Sequence, residues 1–122
     1  MLVAFANNQT LVLVGTTAIN IYTDPVPIGG NDRLAAMSLV HAIGATAGAA
    51  TLTYTAQVSN DGGQNWFDTS VTDALTAVGV DQVVAAANGA LVRFRFAFVN
   101  AGGGGTAVSY VTFDLHVKID HA

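Results

Sequence analysis

The side chains able to do chemistry are few and mostly of one kind. All eight acidic residues are aspartates, at positions 24, 32, 61, 68, 73, 81, 114 and 120, and there is no glutamate. The cations are Arg33, Arg93, Arg95 and Lys118, the imidazoles are His41, His116 and His121, and there is no cysteine. Paired carboxylates doing acid–base work need one buried partner with a raised pKa. Most of these aspartates fall in predicted loops or on polar strand faces, which suits turns and solvation. Asp114 and His116, with Asp120 on the same strand face, offer metal ligands of the right type. A metal site, however, needs three or four converging ligands with a supporting shell, and nothing ties His41 or His121 to that strand. The lack of cysteine removes disulfides, thiolate metal sites and cysteine nucleophiles. No G-x-S-x-G elbow, phosphate-binding loop or H-E-x-x-H occurs, and "AGGGGT" lacks the lysine and following helix of a phosphate cradle. The chain is therefore expected to be neither an enzyme nor a holder of a metal or cofactor.

One stretch has the spacing of a motif. "SNDGGQNW" places Ser59, Asp61, Gly63 and Trp66 as S-x-D-x-G-x-x-W. Short Asp and Asn side chains bond neighbouring backbone amides, and glycine accepts positive φ, so the pattern predicts a tight hairpin. Trp66 would anchor the next strand. The spacing resembles the Asp-box of sialidase-type proteins, with Asn65 where that family usually has threonine. There it is a hairpin device repeated once per propeller blade, away from the catalytic centre. Here it occurs once, in a chain too short for a propeller.

Composition bounds what such a hairpin could serve. The 122 residues amount to one domain, 1–122, with residues 1–9 as a possible N-terminal arm. Charged residues are 10% and hydrophobic ones 52%, against roughly 25% charged in an ordinary soluble domain. So little charge predicts that part of the surface is covered by other chains. A net charge of −4 with four cations disfavours nucleic acid, whose binding rests on clustered Lys and Arg. The N-terminus lacks the charged and apolar regions of a signal peptide. The run from Leu34 to Ala50 falls short of the roughly 20 strongly apolar residues of a membrane span, so a soluble protein, free or assembled, is expected.

The elements that must position these residues follow from period two. Ser109–Asp120 alternates Val111, Phe113, Leu115, Val117 and Ile119 against polar residues, the mark of a half-buried strand. "ALVRFRFAFV" does the same with Val92, Phe94, Phe96 and Phe98. With "NAGGGGT" between them the two read as a hairpin, in a register that sets Phe94 near Phe113 and pairs Arg93 with Asp114. "TLTYTAQVS" alternates Leu52, Tyr54, Ala56 and Val58 with threonines, as another strand. "TLVLVGTTAINIY" reads as one strand covered on both sides, preceded by a short strand and turn at Asn7-Asn8. "DPVPIGG" reads as a loop. "RLAAMSLVHAI" and 72–89 carry both helix and strand signals; the first is taken as a strand, and Asn88-Gly89, which suits a tight turn, favours a strand over Gln82–Ala87 of the second. The sum is an all-β chain of seven or eight short antiparallel strands, a sandwich or a barrel.

The order "PVPIGGNDRLAAMSLVHAIGATAGAATLTYTAQVSNDGGQNW" resembles small structural proteins of tailed bacteriophages, through a P-x-G-G-x-D-R-L-like stretch and a T-L-T-Y-x-x-Q-x-S-N-D-G-x-N-W hairpin. The likeness runs from Pro27 to Trp66. It implies an antiparallel, jelly-roll-like β-sandwich on the virion that decorates or cements the outside of the capsid, with the major capsid protein or other virion proteins as partners. It also implies self-association, a trimer being favoured, and no catalytic residues. Pro25, Pro27, Ile28 and Tyr110 are the candidate interface, with residues 1–9, 24–32 and 102–105 as partner-dependent segments. A carbohydrate-binding or adhesin module, using exposed Tyr110 or Phe67, is the alternative, as is a place in the tail or a fibre.

Overall fold

A computed structural model describes residues 1–120; His121 lies outside them. Nine strands occur: β1 (Leu2–Val14), β2 (Ile19–Tyr22), β3 (Val26–Pro27), β4 (Arg33–Ala45), β5 (Ala49–Ser59), β6 (Phe67–Leu75), β7 (Gly79–Ala86), β8 (Leu91–Ala101) and β9 (Val108–Asp120). They form two antiparallel sheets. Sheet A has the order β1-β9-β4-β7, and sheet B the order β2-β8-β5-β6 with β3 also paired to β8. This is the jelly-roll-like sandwich that the Pro27–Trp66 resemblance implies, with one more short strand than the strand pattern suggests. "RLAAMSLVHAI" lies wholly in β4, and 72–89 holds the end of β6, a turn and β7, which begins at Gly79, ahead of the expected Gln82.

The inner faces follow the alternation read from the sequence. Val92, Phe94, Phe96 and Phe98 of β8 and Val111, Phe113, Leu115, Val117 and Ile119 of β9 are all buried. They meet across the core and not along a ladder. Phe96, not Phe94, packs on Phe113, with ring centroids 4.9 Å apart at 54°.

That contact corrects the predicted hairpin. β8 pairs with β5, β2 and β3, whereas β9 pairs with β1 and β4. Arg93 and Asp114 therefore lie on opposite outer surfaces and do not pair. Period two fixes which side chains point inward, and two aromatic inner faces match equally well within a sheet or across a sandwich. Among the described residues only β5 and β6 are both consecutive and hydrogen-bonded to each other. Nearly every other connection changes sheet.

Three further readings are corrected. Residues 1–9 do not form an arm, since β1 pairs with β9 from Leu2↔Lys118 to Val14↔Val108. The Asn7-Asn8 turn is instead an irregularity within β1, where the register shifts and Asn8 takes φ 51°. "TLVLVGTTAINIY" is two strands in different sheets, broken at Gly15 (φ 88°), whose N–H donates to Ala107 O at 2.9 Å. Val12 and Val14 are consequently exposed on the outer face of sheet A.

Candidate functional site

The motif is the turn of the single β5–β6 hairpin. The Ser59 hydroxyl donates to Asp61 Oδ1 at 2.8 Å and accepts from the Gly63 N–H at 2.9 Å. Asp61 Oδ1 also accepts from the N–H groups of Gln64 (3.1 Å) and Asn65 (2.9 Å), and Oδ2 from Asn65 Nδ2 at 2.6 Å. These donors, Asn65 first, hold the Asp61 carboxyl down to about 2. Gly62 and Gly63 take φ of 74° and 92°, conformations that favour glycine. Asn65, at the threonine position of the Asp-box, thus supplies both a backbone and a side-chain donor. All of Asp61's acceptor capacity is spent within the turn, so Asp61 is a structural carboxylate.

Trp66 does more than anchor a strand. Its Nε1 donates to Gly63 O at 3.0 Å, and its ring lies 4.2 Å from the Arg93 guanidinium. Tyr22 covers the other side at 4.3 Å. Arg93 Nε donates to Gln57 Oε1 (3.0 Å), and Gln57 Nε2 to Asp68 Oδ1 (2.9 Å). Asp68 also meets Arg95, at 3.3 Å, and its pKa is lowered by the Gln57 hydrogen bond first and the Arg95 charge after it. Tyr22, Arg93, Trp66, Gln57, Asp68 and Arg95 thus form one connected patch on the outer face of sheet B. The alternation in the sequence does not reveal it, because the strand carrying Arg93 is expected beside β9 and lies instead beside β5 and β2. The arginines alternating with phenylalanines did signal an outward cationic row, but not its aromatic cover.

The outer face of sheet A is different. Val12, Val14, Tyr110, Met37, Val80 and Val84 are exposed there, from 45% for Met37 to 65% for Val14. Tyr110 lies against Gly44, its register partner, where a Cβ would stand 2.6 Å from the phenolic oxygen. Asp114 knits this sheet together. Its Oδ2 is 2.7 Å from His41 Nε2, and its Oδ1 accepts from the Asn8 N–H. Both partners sit at register irregularities in the flanking strands, one in β1 and one between Val40 and Ala42 of β4. The carboxyl's pKa is lowered, by the Asn8 N–H first and His41 next.

The other expected site residues are scattered. Pro25 and Pro27 are exposed and Ile28 half-buried along β3 and its flanks, at the margin of sheet B, so they share no surface with Tyr110 on sheet A. Asp32 is the buried aspartate; its Oδ2 accepts from the Gly29 N–H at 2.6 Å, closing the P-I-G-G-N-D turn. His116 stands on the outer face between Ala4 and Met37. Among the described residues no three His, Asp or Glu side chains converge as metal ligands. A cleft of 320 Å³ opens between β1 and β2, lined by Val3, Phe5, Gln9, Ile21, Asp24 and Phe96 among others.

No protein-family model matches the sequence, and no curated protein does. Solved structures do match the fold over essentially the whole chain. A chain from the structure of infectious bursal disease virus, Gx strain, superimposes with a TM-score of 0.63 at 13% identity, covering 100% of this chain and 33% of the other. A chain of the VP2 subviral particle of infectious bursal disease virus gives 0.58 at 11% identity, covering 99% and 32%. This chain spans about a third of the length of each. At such identity the likeness concerns the fold.

Proposed function

We propose that this chain is a non-enzymatic structural protein of a virus particle, one that binds a capsid lattice as an oligomer and stabilises it. The observation that carries this reading is the whole-chain match to jelly-roll chains from virus particles. The surface supports it. A face bearing Val12, Val14, Tyr110, Met37, Val80 and Val84 in a chain with so little charge is suited to burial against other subunits. The finer reading, a decoration or cement protein on the capsid exterior of a tailed bacteriophage, follows the Pro27–Trp66 resemblance. A trimer would suit a three-fold lattice axis. Such a protein acts by mass action: whatever binds the assembled shell in preference to free subunits shifts the equilibrium towards the shell.

Two measurements test this. Light scattering on the purified protein should give an oligomer, and sedimentation with undecorated phage heads should carry it into the pellet and raise the temperature at which the heads rupture. A monomer that stays in the supernatant would overturn the proposal.

The patch on sheet B favours a second reading, a glycan-binding module, because planar aromatics beside hydrogen-bonding side chains suit sugar rings. The platform would be Tyr22 and Trp66, with Arg93 between them, and not Tyr110 or Phe67. Glycan-array binding that Tyr22→Ala abolishes would establish it.

A further inference from the structure

The side of the sandwich away from the cleft is flanked by β6 and β7, and four oxygen-bearing side chains lie along it. Ser38 of β4 is the register partner of Asp81 on β7, and Tyr54 of β5 is the register partner of Asp73 on β6. Directly paired residues share a face, with Cβ atoms roughly 5 Å apart, so Asp81 neighbours Ser38, while the longer Tyr54 side chain carries its hydroxyl from beside Asp73 towards Ser38. Ser38 and Tyr54 are fully buried between the sheets. Asp73 is half-buried and Asp81 exposed, on the same inward-pointing positions of the two edge strands. The aspartates are equally far from the middle of the β6–β7 connection, on the neighbouring edges of the two sheets.

The two hydroxyls are the anomaly. The Ser38 and Tyr54 hydroxyls interact with each other, and neither is bonded to any further group, although buried polar groups in native proteins are almost always satisfied. The Tyr54 hydroxyl lies beside Ser38 and within reach of both carboxylates. Burial first, then the Asp73 charge, pushes its pKa up to about 12, so it stays neutral in ordinary buffers.

We infer that Ser38, Tyr54, Asp73 and Asp81 form a binding site for a hard divalent cation, calcium in the first place. Two carboxylates offset the ion's charge, and the hydroxyl oxygens with water complete its shell. A donor set made only of oxygen suits calcium, which accepts irregular geometry, and offers nothing to softer metals. Asp73 Oδ1 already accepts from the Ala74 N–H at 2.9 Å, leaving Oδ2 for the ion. Exposed Asp81 provides the route in. A site with two carboxylates belongs with the weak calcium modules, with Kd on the order of 10⁻⁴–10⁻³ M. Bound there, the ion would join β4 and β7 of one sheet to β5 and β6 of the other.

The test is a calcium titration of the whole chain at constant ionic strength, with magnesium in parallel. Calcium at about 10 mM should raise the melting midpoint by roughly 5 °C, magnesium by less, and neither should act on D73N/D81N. Terbium should bind with tyrosine-sensitised emission that calcium displaces and Tyr54→Phe weakens. No shift of the parent protein with calcium, or an equal shift in D73N/D81N, overturns the site and leaves a trapped water as the partner of the two hydroxyls. If the double variant does not fold, the parent titration and terbium displacement still decide.

Discussion

At the scale of single residues, the carboxylates are mostly hairpin and ladder fasteners. Asp61 has its pKa lowered from 3.8 to about 2 by donors inside the turn. A group whose pKa is depressed on folding stabilises the fold at pH values above the unfolded pKa, and that contribution fades as pH falls through the folded one. The parent protein should therefore lose thermal stability between about pH 4 and pH 2. Asp61→Asn, which cannot change its charge, should show a shallower acid limb in the same melting series. Asp114 works in the same direction, through the Asn8 N–H and His41. Arg93 is a different kind of fastener. Arg93→Ala removes contacts with two rings and the Gln57 bond, and should cost about 1–2 kcal/mol in urea unfolding while shifting Trp66 emission. The turn chemistry of Ser59, Asp61, Gly63 and Trp66 was legible in the sequence because every partner lies within seven residues. The arginine patch was not, because Tyr22, Trp66 and Arg93 come from three separate strands or turns.

At the scale of elements, alternation told inside from outside correctly along β5, β8 and β9, yet misplaced the neighbours of β8 and β9. Periodicity carries no information on which strand lies alongside, and proximity in sequence favours the wrong answer wherever a connection changes sheet. The loops that make those changes are tightly built. Asn100, buried, donates through Nδ2 to Ala47 O and Ser109 Oγ, both at 2.8 Å, tying the β4–β5 loop to the start of β9. Gly103 packs on this link, and a Cβ there would stand 2.7 Å from Ala47 O. Gly103→Ala should cost about 1–3 kcal/mol by urea unfolding. Gly104→Ala should cost less by the same measurement, since φ at Gly104 is positive but nothing lies close to the added carbon. The sequence marked this glycine run as a loop. What it could not show is that one of its members is held by packing and another only by its backbone angle.

At the scale of the whole molecule, the outer face of sheet A carries the exposed apolar side chains that the proposed assembly would cover. Val80→Lys with Val84→Lys keeps the inner face of β7 intact, so the melting midpoint should move by less than about 0.5 kcal/mol in equivalent stability. Particle binding in the sedimentation assay should fall at least tenfold, if that face is the one buried. Folding should be slow for so small a chain, in the millisecond-to-second range by stopped-flow tryptophan fluorescence, because almost all pairing is between strands distant in sequence. The place of β9 adds a constraint from synthesis. It lies between β1 and β4, so those two strands have no ladder partner in common until the ribosome has released the segment up to residue 120. A nascent chain lacking β9 would display the apolar inner sides of β1 and β4 beside the phenylalanines of β8. Sheet A must therefore close after translation has passed β9, which makes its closure a late event in the life of the chain.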